Sequence, residues 1–180
     1  CGPSTSSGAF EIFGERLREL AEAASWRPNG RYQPIPHLDV LLLGDVLDPI
    51  RSAQWVARPN IRPWGNPQGD EFIDLISKIT TDILEHNESG LAALRGLNGD
   101  PGLTIPTALR SGKMNADGQR QPVPVRLHYM VGNHDWFYHL SGVKYSNLRK
   151  KIVCQMGLAN DSIDPFPHDG AECDTLLSVM

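Results

Sequence analysis

Between positions 10 and 24, Phe10, Phe13, Leu17, Leu20 and Ala24 recur at the interval of one helix face, with Glu15, Arg16, Arg18 and Glu19 largely opposite. Residues 1–8 read as a loop whose Ser6 or Ser7 caps that helix, and Pro28-Asn29-Gly30 ends it. Leu38 to Leu43, apolar but for Asp39, then reads as a run between turn residues, the pattern of a strand buried on both faces. Asn66-Pro67, followed by Asp70 and Glu71, opens a second helix with Phe72, Leu75, Ile76, Ile79 and Ile83 as its apolar stripe. Leu91, Leu94 and Leu97 suggest a short third helix. Residues 98–124, rich in Gly, Pro and Asn, read as an exposed excursion. A second strand is expected over Val125–Val131, and a closing helix over residues 142–157 through Leu148, Ile152, Val153 and Met156. Helix, strand, helical stretch, strand and helix in that order make an α/β protein.

Length and composition narrow this only a little. With 180 residues the chain suffices for one domain with a real core, and 40% hydrophobic with 21% charged residues is ordinary globular composition. A net charge of −4 disfavours a nucleic-acid partner bound through the average surface. No apolar run approaches the roughly 20 residues of a membrane helix, so no membrane role is expected. Cys1, Cys154 and Cys173 are odd in number and widely spaced, which fits free thiols in a reducing compartment, hence the cytoplasm. The chain opens on Cys1 rather than Met and stops in the apolar Leu176–Met180, so it reads as an interior segment of a longer protein.

Chemistry concentrates in two short segments, each directly after an expected strand: Gly44-Asp45-Val46-Leu47-Asp48 and Gly132-Asn133-His134-Asp135. Loops leaving the carboxyl ends of strands are where α/β folds build ligand sites, and a glycine at each exit permits a tight turn. Asp45, Asn133 and Asp48 offer hard oxygen donors, and His134 offers a nitrogen donor or a proton. Two divalent ions about 3.5–4 Å apart can clamp a phosphate and activate water. Asp45 is the natural bridging carboxylate, while Asn133 adds a donor without adding charge. His134 beside Asp135 has the character of an acid oriented by a carboxylate. Asp48 also reads as a helix cap before Pro49, and Arg51 as a surface residue. His128 reads as a sheet histidine, His37, His86 and His139 as surface or supporting residues, and His168-Asp169-Gly170 as a turn. Trp136, Phe137 and Tyr138 suit either a pocket or core packing.

The two segments resemble the second and third signature blocks, G-D-x-x-D and G-N-H-[D/E], of the calcineurin-like metallophosphoesterase family. That resemblance implies a sandwich of two mixed β-sheets flanked by helices, incomplete at both ends in this chain, with a dinuclear centre of Mn, Fe or Zn. It implies a hydrolase that cleaves a phosphomonoester or phosphodiester by metal-activated water. By the family pattern Asp45 bridges the metals, Asn133 binds one of them, and His134 contacts the phosphate. Asp48 and Asp135 support them: Asp48 belongs with Asp45 and Asn133 on the metal side, Asp135 with His134 on the catalytic side.

The family's first block, D-x-H, has no counterpart before Asp45. His37-Leu38-Asp39 carries the residues in reverse and enters a strand rather than leaving one. By the family's order that block belongs just before Cys1 and the later His-bearing blocks after Met180, so weak metal binding and little activity are expected of these residues alone. The long spacing between the visible blocks implies a helical insertion over about 50–122 within a single domain spanning 1–180. The reading that competes is a non-catalytic protein-interaction module on the same scaffold.

Overall fold

Two strands carry the candidate loops. In the computed structural model, which describes residues 7–173, β1 (Leu38–Leu43) pairs with β4 (Val125–Met130) in a two-stranded sheet. Leu38 N–H donates to Pro124 O at 2.9 Å where the strands begin, and Gly44 lies against Gly132 where they end. The strands therefore run parallel, and both exits open at one end of the sheet.

Their burial differs. β4 presents Val125, Leu127, His128 and Tyr129 as buried residues, whereas β1 leaves Asp39 exposed and Leu43 70% exposed. The expectation that β1 is buried on both faces is thus not met, and β4 is the core strand. The reason is pairing: among the described residues β1 borders β4 alone, while β4 is covered on its other side too. There Leu127 bridges Leu158 in parallel, Ala159 N–H donates to Leu127 O at 2.7 Å, and Val131 N–H donates to Pro167 O at 2.8 Å. The Asn160 side chain completes this edge by accepting from Tyr129 N–H at 2.7 Å and donating to Tyr129 O at 3.0 Å, as a neighbouring strand would.

The chain divides into two compact units, one holding Leu41–Glu88 and the chain from Leu127 on, the other running from α1 (Ser7–Ala24) to Val40 and including Ser89–Arg126. In the first, α2 (Asp70–His86) begins with Asp70 and Glu71 in its first turn and buries Phe72, Ile73, Leu75, Ile76, Ile79, Thr80 and Leu84. This is the expected stripe, except that Ile83 is only half-buried and Leu84 replaces it. It packs against α4 (Val143–Met156), which buries Tyr145, Leu148, Arg149, Ile152 and Met156. Trp55 stacks on Phe137, Phe72 is tilted against both with ring centroids 5.6–5.9 Å apart, and Trp55 Nε1 donates to Pro49 O at 2.9 Å. Phe137 and Tyr138 are fully buried, so core packing rather than a pocket wall explains them.

In the second unit Leu17 and Ala21 are the buried residues of α1 among those described, and Leu20 is 61% exposed. The segment expected as an exposed excursion follows α3 (Glu88–Gly96) and is partly structured. β2 (Thr104–Pro106) pairs antiparallel with β3 (Arg120–Pro122), Thr104 opposite Pro122 and Pro106 opposite Arg120. Leu103, Ile105 and Val123 are buried around this hairpin, so its polar turns hide a small apolar core. Residues 50–122, read from the sequence as one insertion, divide between the units: α2 belongs to the first, and β2, β3 and most of α3 to the second.

The architecture is mixed α/β. No helix among the described residues is long and apolar enough to cross a membrane. The expected loop and cap before Ser7 and the apolar run Leu176–Met180 lie outside the described residues.

Candidate metal and phosphate site

Both loops leave their strands through glycines, and at the first only glycine fits. Gly44 has φ +76°, and a Cβ there would overlap the backbone nitrogen of Gly132, with Gly132 Cα at 2.6 Å. A Cβ on Gly132 would overlap Asp45 Oδ1 and lie 2.9 Å from Asp45 Cγ. The two loops therefore touch backbone to backbone, which brings the Asp45 carboxylate to the His134 N–H, 89 positions away in the chain.

Asp45 and Asp48 both adopt left-handed backbone conformations, φ 54° and 40°. A non-glycine residue rarely takes this conformation, and Asp is among the few that tolerate it. The Asp45 carboxylate is exposed; its Oδ1 accepts from the His134 backbone N–H at 2.9 Å. Asn133 is exposed beside it, its side-chain amide unengaged among the described residues.

His134 is oriented by Asp48, not by its neighbour Asp135. His134 Nδ1 lies 2.9 Å from Asp48 Oδ1. A carboxylate only accepts, so Nδ1 carries the hydrogen and Nε2 is left as the working nitrogen. The other Asp48 oxygen is 3.0 Å from Arg51 Nε, which is 74% exposed. With both oxygens engaged, Asp48 holds the ring rather than facing a ligand. Although it precedes Pro49 in the capping position of a short 3-10 turn, its side chain makes no capping bond.

Asp135 turns inward and is fully buried. Its Oδ1 accepts from Gly132 N–H at 2.5 Å, its Oδ2 from the Tyr129 hydroxyl, and Val46 N–H donates to it as well. The Tyr129 hydroxyl in turn accepts from Leu47 N–H at 3.2 Å. One buried acid and one buried phenol thus bind both loops, Val46 and Leu47 on one side and Gly132 on the other. Burial raises the Asp135 pKa, and the nearby Asp45 carboxylate adds to that. The bonds from Tyr129, Gly132 and Val46 act the other way. Burial first, and then the Asp135 charge, push the Tyr129 phenol well up.

Sequence reasoning placed Tyr129 only in an alternating strand and missed its role, because its partners lie 6 and 82 positions away. Arg149 was missed likewise. It is fully buried in α4 and donates to Tyr138 O, Leu140 O, Ser162 O and Ile163 O at 2.6–3.2 Å. It thereby fixes the turn that follows His134. Only the length of the residue and its interior position on an apolar helix face hinted at this. Two other histidines are placed elsewhere: His37 is 3.4 Å from Asp39, and His128 is buried in β4. A cavity of about 460 Å³ between α2 and α4, lined by Leu84, Lys150 and Cys154 among others, contains no loop residue. With Asp45 and Asn133 both exposed, the candidate site lies on an open rim at the strand ends.

No family model, curated protein or solved structure matches the chain.

As a test for metal, the donors on the rim are two hard oxygens, Asp45 and Asn133. Asp45 has one carboxylate oxygen that takes no hydrogen bond among the described residues. Such donors fit one edge of a divalent-ion site and are fewer than a two-metal centre takes.

Proposed function

We propose that this chain carries part of the active site of a metal-dependent phosphoesterase, a hydrolase that cleaves a phosphomonoester or phosphodiester. The observation that supports it is the meeting of Asp45, Asn133 and His134 at the joined exits of two parallel strands, with His134 held by Asp48. Asp45 and Asn133 would hold one or both of two divalent ions, with Mn, Fe and Zn as candidates. Such ions, when bound, supply a nucleophilic water at neutral pH and neutralise phosphate charge. With its ring held by Asp48 through Nδ1, His134 would donate from Nε2 to the phosphate or leaving oxygen when both ring nitrogens carry a proton. Asp135 acts from below, through the two loops it joins, and touches no substrate. The fold that accompanies this reading is a sandwich of two mixed β-sheets flanked by helices, with β1 and β4 as part of it.

The net charge of −4 favours a small phosphorylated substrate over a nucleic-acid polymer. The exposed free thiol of Cys154 suits a reducing, cytoplasmic setting. The test is hydrolysis of p-nitrophenyl phosphate and bis(p-nitrophenyl) phosphate with Mn²⁺, Fe²⁺ or Zn²⁺, comparing the protein with its Asp45→Asn and His134→Ala variants. Loss of about a hundredfold in rate for each is expected. Activity indifferent to both changes would remove the mechanism.

A further inference from the structure

One cluster of ligating side chains lies outside the two loops. His139 ends the 3-10 turn Trp136–His139 that follows the second loop, and His168 and Glu172 lie on the segment after Phe166. One donor atom from each of the three falls within 4.8 Å of the others. The two imidazole rings are 4.4 Å apart between centroids and tilted by 55°. Apart from Asp169, which caps the turn, no other ligating group enters the cluster among the described residues.

The backbone has arranged these groups before any ligand arrives. His139 Nδ1 lies 2.8 Å from Phe166 O. A carbonyl can only accept, so Nδ1 carries the hydrogen and Nε2 keeps its lone pair. Metal-binding histidines are commonly held by one nitrogen on a carbonyl; here that same Nδ1 lies 3.9 Å from Glu172 Oε2, and a turn of the ring brings Nε2 to a metal. Glu172 is placed as firmly. Its own N–H donates to Asp169 Oδ1 at 3.0 Å, and its Oε2 accepts from His168 N–H at 2.9 Å. That oxygen is also 2.8 Å from His168 Nδ1 and 3.9 Å from His139 Nδ1. The two segments are docked independently of the cluster, through Phe166 N–H to Tyr138 O at 3.2 Å and through Arg149. Forming the site therefore needs side-chain adjustment only.

We propose that His139, His168 and Glu172 form a zinc site. Two imidazoles and one carboxylate are a donor set that zinc accepts with a fourth position left for water. The all-oxygen shells of Mg²⁺ and Ca²⁺ do not fit it. Bound zinc joins the turn after the second loop to the segment around Phe166. The proposal stands apart from the phosphoesterase reading, since none of the three residues belongs to either loop.

The test is calorimetric titration of tag-free protein with Zn²⁺, together with the shift in melting temperature that Zn²⁺ produces. A loop variant, Asp45→Asn with Asn133→Ala, separates this site from any metal bound on the rim. One Zn²⁺ per chain is expected to remain in that variant and to raise its melting temperature. His168→Ala and Glu172→Gln each weaken this binding by about a hundredfold and abolish the shift. Glu172→Gln preserves shape, so it answers the question even where His168→Ala folds poorly. A loop variant that takes up no Zn²⁺ overturns the proposal, as does Zn²⁺ binding that Glu172→Gln leaves unchanged.

Discussion

The loop Gly44–Asp48 and the loop Gly132–Asp135 leave adjacent parallel strands, yet they are held in opposite ways. The first carries two left-handed aspartates, points Asp45 outward and engages Asp48 with His134 and Arg51 near the surface. The second turns its own acid, Asp135, into the core, where it binds Gly132, Tyr129 and Val46. The strained loop is supported by the buried one. Two acids that look alike in sequence are thus divided by tertiary structure between the exposed rim and the core.

That division can be broken from either side. The largest effect is expected at the joint itself: Gly44→Ala puts a Cβ into the Gly132 backbone at a left-handed position. A loss of about 3 kcal/mol is expected in denaturant unfolding. Asp45→Asn changes the exposed side instead, with a rate loss of about a hundredfold and little change in unfolding midpoint. If it unfolds the protein as Gly44→Ala does, the distinction between the loops fails.

Asp135→Asn is the mirror experiment. It leaves one of the buried donors without its acceptor and should cost about 2 kcal/mol. It also carries a pH signature. Because the folded-state pKa of Asp135 is raised above its ordinary 3.8, the folded state holds this proton more tightly than the unfolded state. The contribution of Asp135 is therefore fully present below that value and is lost as pH rises through the raised pKa. Unfolding measured across this range should show wild-type stability declining relative to Asp135→Asn. A difference independent of pH would mean that Asp135 is charged at no extra cost.

Two smaller changes sharpen the picture. Asp48→Asn should lower the rate about tenfold, through loss of His134 orientation, with stability nearly unchanged. Tyr129→Phe removes the hydroxyl that joins Leu47 to Asp135, for about 1 kcal/mol in unfolding and a modest rate loss. An Asp48→Asn protein with full activity would leave His134 positioned by something other than its ring bond.

Local pattern in the chain determined the elements and the loops. The spacing of Phe72, Leu75, Ile76 and Ile79 marks α2, the runs at Leu38–Leu43 and Val125 mark the strands, and Gly44 and Gly132 mark their exits. These signals are legible because periodicity and turn chemistry act over a few residues. Only the tertiary structure decided which strand is the core one, since burial depends on what lies beside it: the segment 158–167 covers β4, while β1 borders β4 alone among the described residues. It alone decided that Asp48, 86 positions from His134, orients that ring while the adjacent Asp135 faces the core. It also brought His139 to His168 and Glu172. Those partnerships join distant positions, and side-chain bonds across such separations leave no periodic trace in a single sequence.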